Sequence, residues 1–193
     1  MPDASRPERG TAPGGDGPPT SLEKRLEAYD RDRRALLDEM AALDPAQLAY
    51  KPVADQWSIV EVLEHLALAE RVVLQGLPDA SRLVARERKL GHRFAHTMVL
   101  VLLQWRIPVR APSPAMVPSG TLTLTEVRHL WDDNLRWLRT YVARRQGLTR
   151  AVFLHPVAGP MTVAQVARAG QLHLAVHTRQ IRRILRLGMR ATS

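Results

Sequence analysis

"TVAQVARAGQLHLAVHTRQIRRIL", residues 162–185, has the spacing of an amphipathic helix. At about 100° per residue, Val166, Gly170, His173, His177, Ile181 and Ile184 fall on one narrow stripe. Arg168, Arg179 and Arg186 lie on the other side, so the stripe faces a core, and Thr162 caps the start. Two imidazoles one turn apart on a core stripe are costly unless something satisfies their nitrogens. Histidines at i and i+4 offer two nitrogens to one ion. A hydrogen-bonded core pair is the simpler alternative.

Three further segments carry helical periodicity. The first runs from Ser21 to Leu43, with a stripe of Leu22, Leu26, Tyr29, Leu36, Leu37, Met40 and Leu43. Asp44-Pro45 stops it, because the residue before proline leaves the α region, and "DPAQLAYKPVADQ" follows as a loop. The second, "WSIVEVLEHLALAERVVL" (57–74), opens on Ser58 with Glu61 three residues on, the pattern of a capping box. Its stripe is Ile59, Val62, Leu63, Leu66, Ala69 and Val73, and Pro78 ends it. The third, "TLTEVRHLWDDNLRWLRTYV" (123–142), repeats the box with Thr123 and Glu126, buries Val127, Leu130, Trp131, Leu138 and Tyr141, and stops by Gly147. "FLHPVAGP" (153–160) reads as a turn.

Between the second and third helices, residues 79–120 hold one or two helices and then a proline-rich loop, "RIPVRAPSPAMVPSG". The apolar run Met98–Leu103 is far short of the ~20 residues of a membrane span. It reads as a buried crossover helix, with an interfacial membrane contact as the sharper alternative. With no strand pattern, the expected fold is all-α: a four-helix bundle with a long crossover between helices two and three that contains an extra short helix.

Composition sets the outer limits. One domain is expected, over residues 21–190 of the 193. The first twenty residues contain five Pro and four Gly and almost nothing to bury, so 1–20 is expected to be a disordered tail. It lacks the apolar segment of a signal peptide, and the cytoplasm is the expected location. Without cysteine, disulfides, zinc fingers and a cysteine nucleophile are excluded, and any metal falls to histidine and carboxylate. The net charge of +9 raises nucleic acid or an anionic surface as partners. But arginines are spread over every helix, only "RQIRRILRLGMR" (179–190) concentrates them, and no helix-turn-helix or aromatic-rich platform is present. A nucleic-acid partner is therefore not expected.

A metal at His173 and His177 needs a third ligand from another helix. His65, in "EVLEHLALAE", stands at the edge of the stripe set by Val62, Ala69 and Val72. His129 lies opposite its helix stripe and faces water, and His155 sits in a turn before proline. His92 and His96 form a second i, i+4 pair in the crossover and are the rival metal site.

Three segments together resemble the DinB/YfiT-like superfamily of four-helix-bundle metalloproteins. "WSIVEVLEHLALAE" is similar to its Trp-Ser start of helix two with a metal histidine, and "APSPAMVPSGTLTLTEVRHLW" to its proline-rich approach to helix three. "HPVAGPMTVAQVARAGQLHLAVHTRQI" is similar to its His-Pro, Gly and Thr approach to a helix bearing HxxxH. The resemblance implies that the metal ligands are His65, His173 and His177, the same three that periodicity singles out. It further implies a divalent ion, zinc or nickel first and iron or manganese after, and a homodimer. It implies a small-molecule substrate, with a low-molecular-weight thiol such as mycothiol or bacillithiol in S-transfer or isomerisation. A non-catalytic metal-binding or stress-response bundle is the alternative.

Two charges interrupt core stripes: Arg33, between Tyr29 and Leu37, and Glu70, between Leu66 and Val73. In an antiparallel hairpin they reach similar heights, so a buried ion pair is the plain expectation. The sharper one makes Arg33 an anion-binding residue and Glu70 a general base, or a partner of a ligand, near the metal. Asn134 reads as a satisfied core amide and Trp57 as a packing anchor.

Overall fold

The computed structural model describes residues 21–77, 113–143, 153–155 and 159–191. The N-terminal tail, the extra crossover helix, the His92/His96 pair and the stop at Gly147 lie outside them. The fold is all-α, and the described residues form four long helices. These are α1 (Ser21–Ala41), α3 (Ile59–Gln75), α4 (Leu124–Ala143) and α5 (Val163–Ala191). A short α2 (Pro45–Ala49) follows α1, and a 3₁₀ turn (Pro114–Met116) precedes α4.

Local chemistry sets most starts. Ser58 Oγ accepts from Glu61 N at 3.3 Å while Glu61 Oε2 accepts from Ser58 N at 2.7 Å. Thr123 and Glu126 repeat this at α4, and Thr162 and Gln165 at α5. Each box satisfies amides that the first helical turn leaves without partners.

Two loop expectations are corrected. Asp44-Pro45 ends α1, but it also starts α2: Asp44 caps, Pro45 takes a first-turn position whose N–H is dispensable, and Gln47 closes the box. "FLHPVAGP" is not a plain turn, for its two ends pair. β1 (Phe153–His155) runs antiparallel to β2 (Gly159–Met161), Phe153 facing Met161 and His155 facing Gly159. Three-residue strands are too short for alternation to show in sequence.

Helix α3 packs against α4 and α5, and α1 against the same two. Two apolar clusters fill the bundle. One joins Leu37 and Met40 of α1, Ile59, Val62 and Leu63 of α3, Val127 and Trp131 of α4, and Ile181 of α5. The other joins Leu22 and Leu26, Leu74, Leu138 and Tyr141, Val163 and Val166, with Phe153 and Met161 of the hairpin. Glu70 falls along α3 between the residues of the two clusters, whereas Asp30, Arg33 and Asn134 fall among those of the first, between Tyr29 and Leu36 and between Trp131 and Leu135.

Candidate metal centre

His65, His173 and His177 come together, each contributing a ring nitrogen, all within 4.8 Å of one another. His65 comes from α3 and is 5% exposed; the other two come from α5 and are partly exposed. Ring centroids are 5.2 Å apart for His65–His173, 5.0 Å for His65–His177 and 4.6 Å for His173–His177. Trp57 lies at 4.8 Å from the His65 ring, tilted by 37°, and packs as the anchor expected.

Hydrogen bonding fixes which nitrogen is free. His65 Nδ1 is 2.7 Å from the Met116 carbonyl oxygen. A carbonyl only accepts, so Nδ1 carries the proton and the Nε2 lone pair is left for another use. His177 Nδ1 donates in the same way to Gln180 Oε1 at 2.7 Å. His177 Nε2 then accepts from His173 Nε2 at 3.0 Å.

Burial also keeps these rings neutral. It lowers His65 below the ordinary histidine value, against the raising effect of the Met116 carbonyl. It holds His173 well below, helped by its two histidine neighbours, and brings His177 to about 4, with His65 adding to the effect. Uncharged imidazoles with available lone pairs are what a divalent ion requires. Tetrahedral zinc with Zn–N near 2.0–2.1 Å sets its ligand nitrogens about 3.3 Å apart, so this donor set fits with small side-chain adjustments.

Outside the trio, Glu64 is a residue that periodicity passes over. It is 2% exposed, and its carboxylate accepts from Ser119 N at 2.7 Å, Ser119 Oγ at 2.8 Å and Gly120 N at 3.2 Å. It ties the segment before α4 to α3, one residue from His65. Met116, whose carbonyl meets His65, belongs to that same segment, and no side-chain motif announces a backbone acceptor.

Arg33 and Glu70 do not pair with each other. Arg33, 0% exposed, is bound through Nη2 to Asp30 at 2.8 Å and to Asp132 at 2.7 Å. Glu70 Oε2 accepts from the Tyr29 hydroxyl and from Trp131 Nε1. The pairing expected from an α1–α3 hairpin gives way because α4 supplies Asp132 and Trp131. Neither Glu70 nor Arg33 has a hydrogen bond to a histidine of the trio. Burial raises Glu70 above the usual carboxylate range, and raises Tyr29 further above its own. Asn134 donates to the Ala67 carbonyl at 2.8 Å, and His129 is exposed, both as expected. His155 lies in β1 rather than in a turn.

No helix among the described residues is long and apolar enough to cross a membrane. Neither curated proteins nor solved structures give a match to the chain. The family model for the DinB superfamily does match, over residues 28–181, a span that holds all three histidines. With most of its length covered and a histidine trio in an all-α bundle, the chain belongs to the DinB superfamily.

Proposed function

We propose that this chain is a divalent-metal-dependent enzyme, with His65, His173 and His177 as ligands and a small-molecule substrate approaching from the partly exposed side. One observation carries the reading: three neutral imidazoles converge, and two have their Nδ1–H groups held by acceptors, so that each Nε2 lone pair is turned into the trio. Three protein nitrogens leave at least one coordination position open, as catalytic sites do and closed structural sites do not. When bound, the ion supplies Lewis-acid chemistry, polarising a carbonyl or acidifying a thiol or water.

The protein's own residues prepare that site. His65 is held by Met116 and packed against Trp57, while His177 is held by Gln180. Zinc or nickel suits three imidazoles, and iron and manganese follow. A low-molecular-weight thiol is the proposed co-substrate, in S-transfer or isomerisation. A dimer, a cytoplasmic setting and a domain spanning 21–190 accompany this reading.

Metal analysis of the purified chain tests it. Near-equimolar zinc or nickel is expected in the wild type and background levels in His173→Ala and His177→Ala. Equal metal in all three means these are not the ligands.

A second reading, a metal-binding bundle without catalysis, has its own support. The carboxylates of α3, Glu61, Glu64 and Glu70, are all committed elsewhere: Glu61 to Ser58 and Lys51, Glu64 to Ser119 and Gly120, and Glu70 to Tyr29 and Trp131. Chelator-sensitive turnover in a screen of thiols against electrophiles would remove it.

A further inference from the structure

Consecutive residues of α3 reach the same short segment of chain. His65 takes the Met116 carbonyl, and Glu64 takes both donors of Ser119 and the amide of Gly120. The segment between is stiff. Ser113 caps the 3₁₀ turn, Met116 N donates to Ser113 O at 3.0 Å, and Val117 N donates to Pro114 O at 3.0 Å. Pro118 fixes one more backbone angle. A stiff segment moves as a unit, so the position of Ser119 and Gly120 sets that of the Met116 carbonyl.

Two ties settle where this unit sits among the described residues: the Met116 side chain is buried, and Glu64 holds the far end at Ser119 and Gly120. Val117 is 49% exposed, so its side chain does not anchor the loop by burial. Gly120 has φ of +74°, and a Cβ there would lie 2.9 Å from Glu61 Oε1. The chain therefore passes close over α3 only because this residue is glycine. The Glu64 carboxylate, buried and accepting three hydrogen bonds, is the strongest polar tie, since charge-assisted bonds are roughly twice as strong as neutral ones.

We infer that Glu64 is a positioning residue for His65: by holding Ser119 and Gly120 it keeps the Met116 carbonyl on Nδ1–H, and so keeps the Nε2 lone pair turned towards His173 and His177. The inference rests on the proposed metal site for its use. Its geometry does not depend on an ion. Glu64 touches neither the metal nor the substrate; it acts through five residues of loop.

The test uses the full chain, ¹⁵N-labelled and metal-free, with ring-nitrogen NMR to read each histidine's tautomer, followed by zinc titration. In the wild type His65 is the Nδ1–H form. In Glu64→Ala the Nε2–H form of His65 becomes populated, His177 stays as Gln180 holds it, and zinc affinity falls about 10- to 100-fold. Glu64→Gln keeps one acceptor oxygen and gives a smaller loss. A folded Glu64→Ala with His65 still wholly Nδ1–H overturns the inference, and so does unchanged zinc affinity. If Glu64→Ala does not fold, Glu64→Gln and Ser119→Ala decide by the same two readouts. A wild type that binds no zinc, together with a shifted His65 tautomer in Glu64→Ala, would sink the metal reading and leave the positioning role standing.

Discussion

His173 and Arg33 both stand on core stripes, one on α5 between Gly170 and His177, the other on α1 between Tyr29 and Leu37. Around Arg33 the bundle supplies opposites: Asp30 and Asp132 for its charge, and the Trp131 face 5.7 Å from its guanidinium carbon. Around His173 it supplies likes, two more neutral imidazoles, with one 3.0 Å hydrogen bond among them. Opposites together make a lock closed through one guanidinium nitrogen, Nη2, while Arg33 Nε and Nη1 are buried without a hydrogen-bond partner. Likes together turn the Nε2 lone pairs of His65 and His177 inwards, a donor set that a cation would take. Burial of polar groups is therefore a poor guide to function until their partners are known.

The largest expected effect would break the lock and leave the centre alone. Arg33→Ala empties a wholly buried site while Asp30 keeps Arg34 at 3.0 Å and Arg139 at 2.8 Å, so the loss is that of a large core truncation, about 2–5 kcal/mol. Urea unfolding should show that loss, and metal content per folded chain should not change. If metal is lost along with stability, the two regions are one.

Next comes the centre itself. Zinc at 100 times its dissociation constant stabilises a folded chain by about 2.7 kcal/mol. That increment should appear in wild-type melts and vanish in His173→Ala, whose metal-free stability stays near that of the metal-free wild type or above it. A zinc increment retained in His173→Ala would contradict the assignment.

Acid should separate the two regions by sign. In the metal-free chain, burial holds His177 down at about 4 against an ordinary 6.5, and lowers His65 and His173 as well. The unfolded chain takes up those protons first, so this contribution is whole above pH 6.5 and is lost as pH falls towards 4. Glu70 works the other way: its raised folded value makes its contribution whole below the ordinary 4.5 and lost as pH rises through that folded value. Urea midpoints from pH 7.5 down to about 4 should therefore flatten in His177→Leu but not in Glu70→Gln. An equally steep acid limb in His177→Leu would show that other groups drive it.

The smallest effect is a control. His129→Ala, on the exposed face of α4, should change stability by no more than about 0.5 kcal/mol and metal content not at all.

Much of this was legible in the sequence because it is local. Ser58 with Glu61 and Thr123 with Glu126 announce their helix starts three residues apart. The stripe through His173 and His177 announces which way both rings point. Asp44-Pro45-Ala46-Gln47 held a start signal as well as a stop, but a five-residue helix has no periodicity to accompany it. The hairpin at Phe153 is shorter than any alternation can reveal. The partners that matter most were out of reach for a different reason. Glu64 meets main-chain amides 55 and 56 residues away, and His65 meets a carbonyl 51 residues away. Backbone atoms carry no residue signature, so only the fold shows them. A hairpin of the first two long helices sets Arg33 level with Glu70, whereas their partners come from α1 itself and from α4.

The most direct test of the central claim is X-ray absorption at the metal edge of the zinc-loaded chain. Expected is a first shell near 2.0–2.1 Å that includes three imidazoles, falling to two in His65→Ala. A shell of oxygen donors without imidazole scattering, unchanged by His65→Ala, would contradict it.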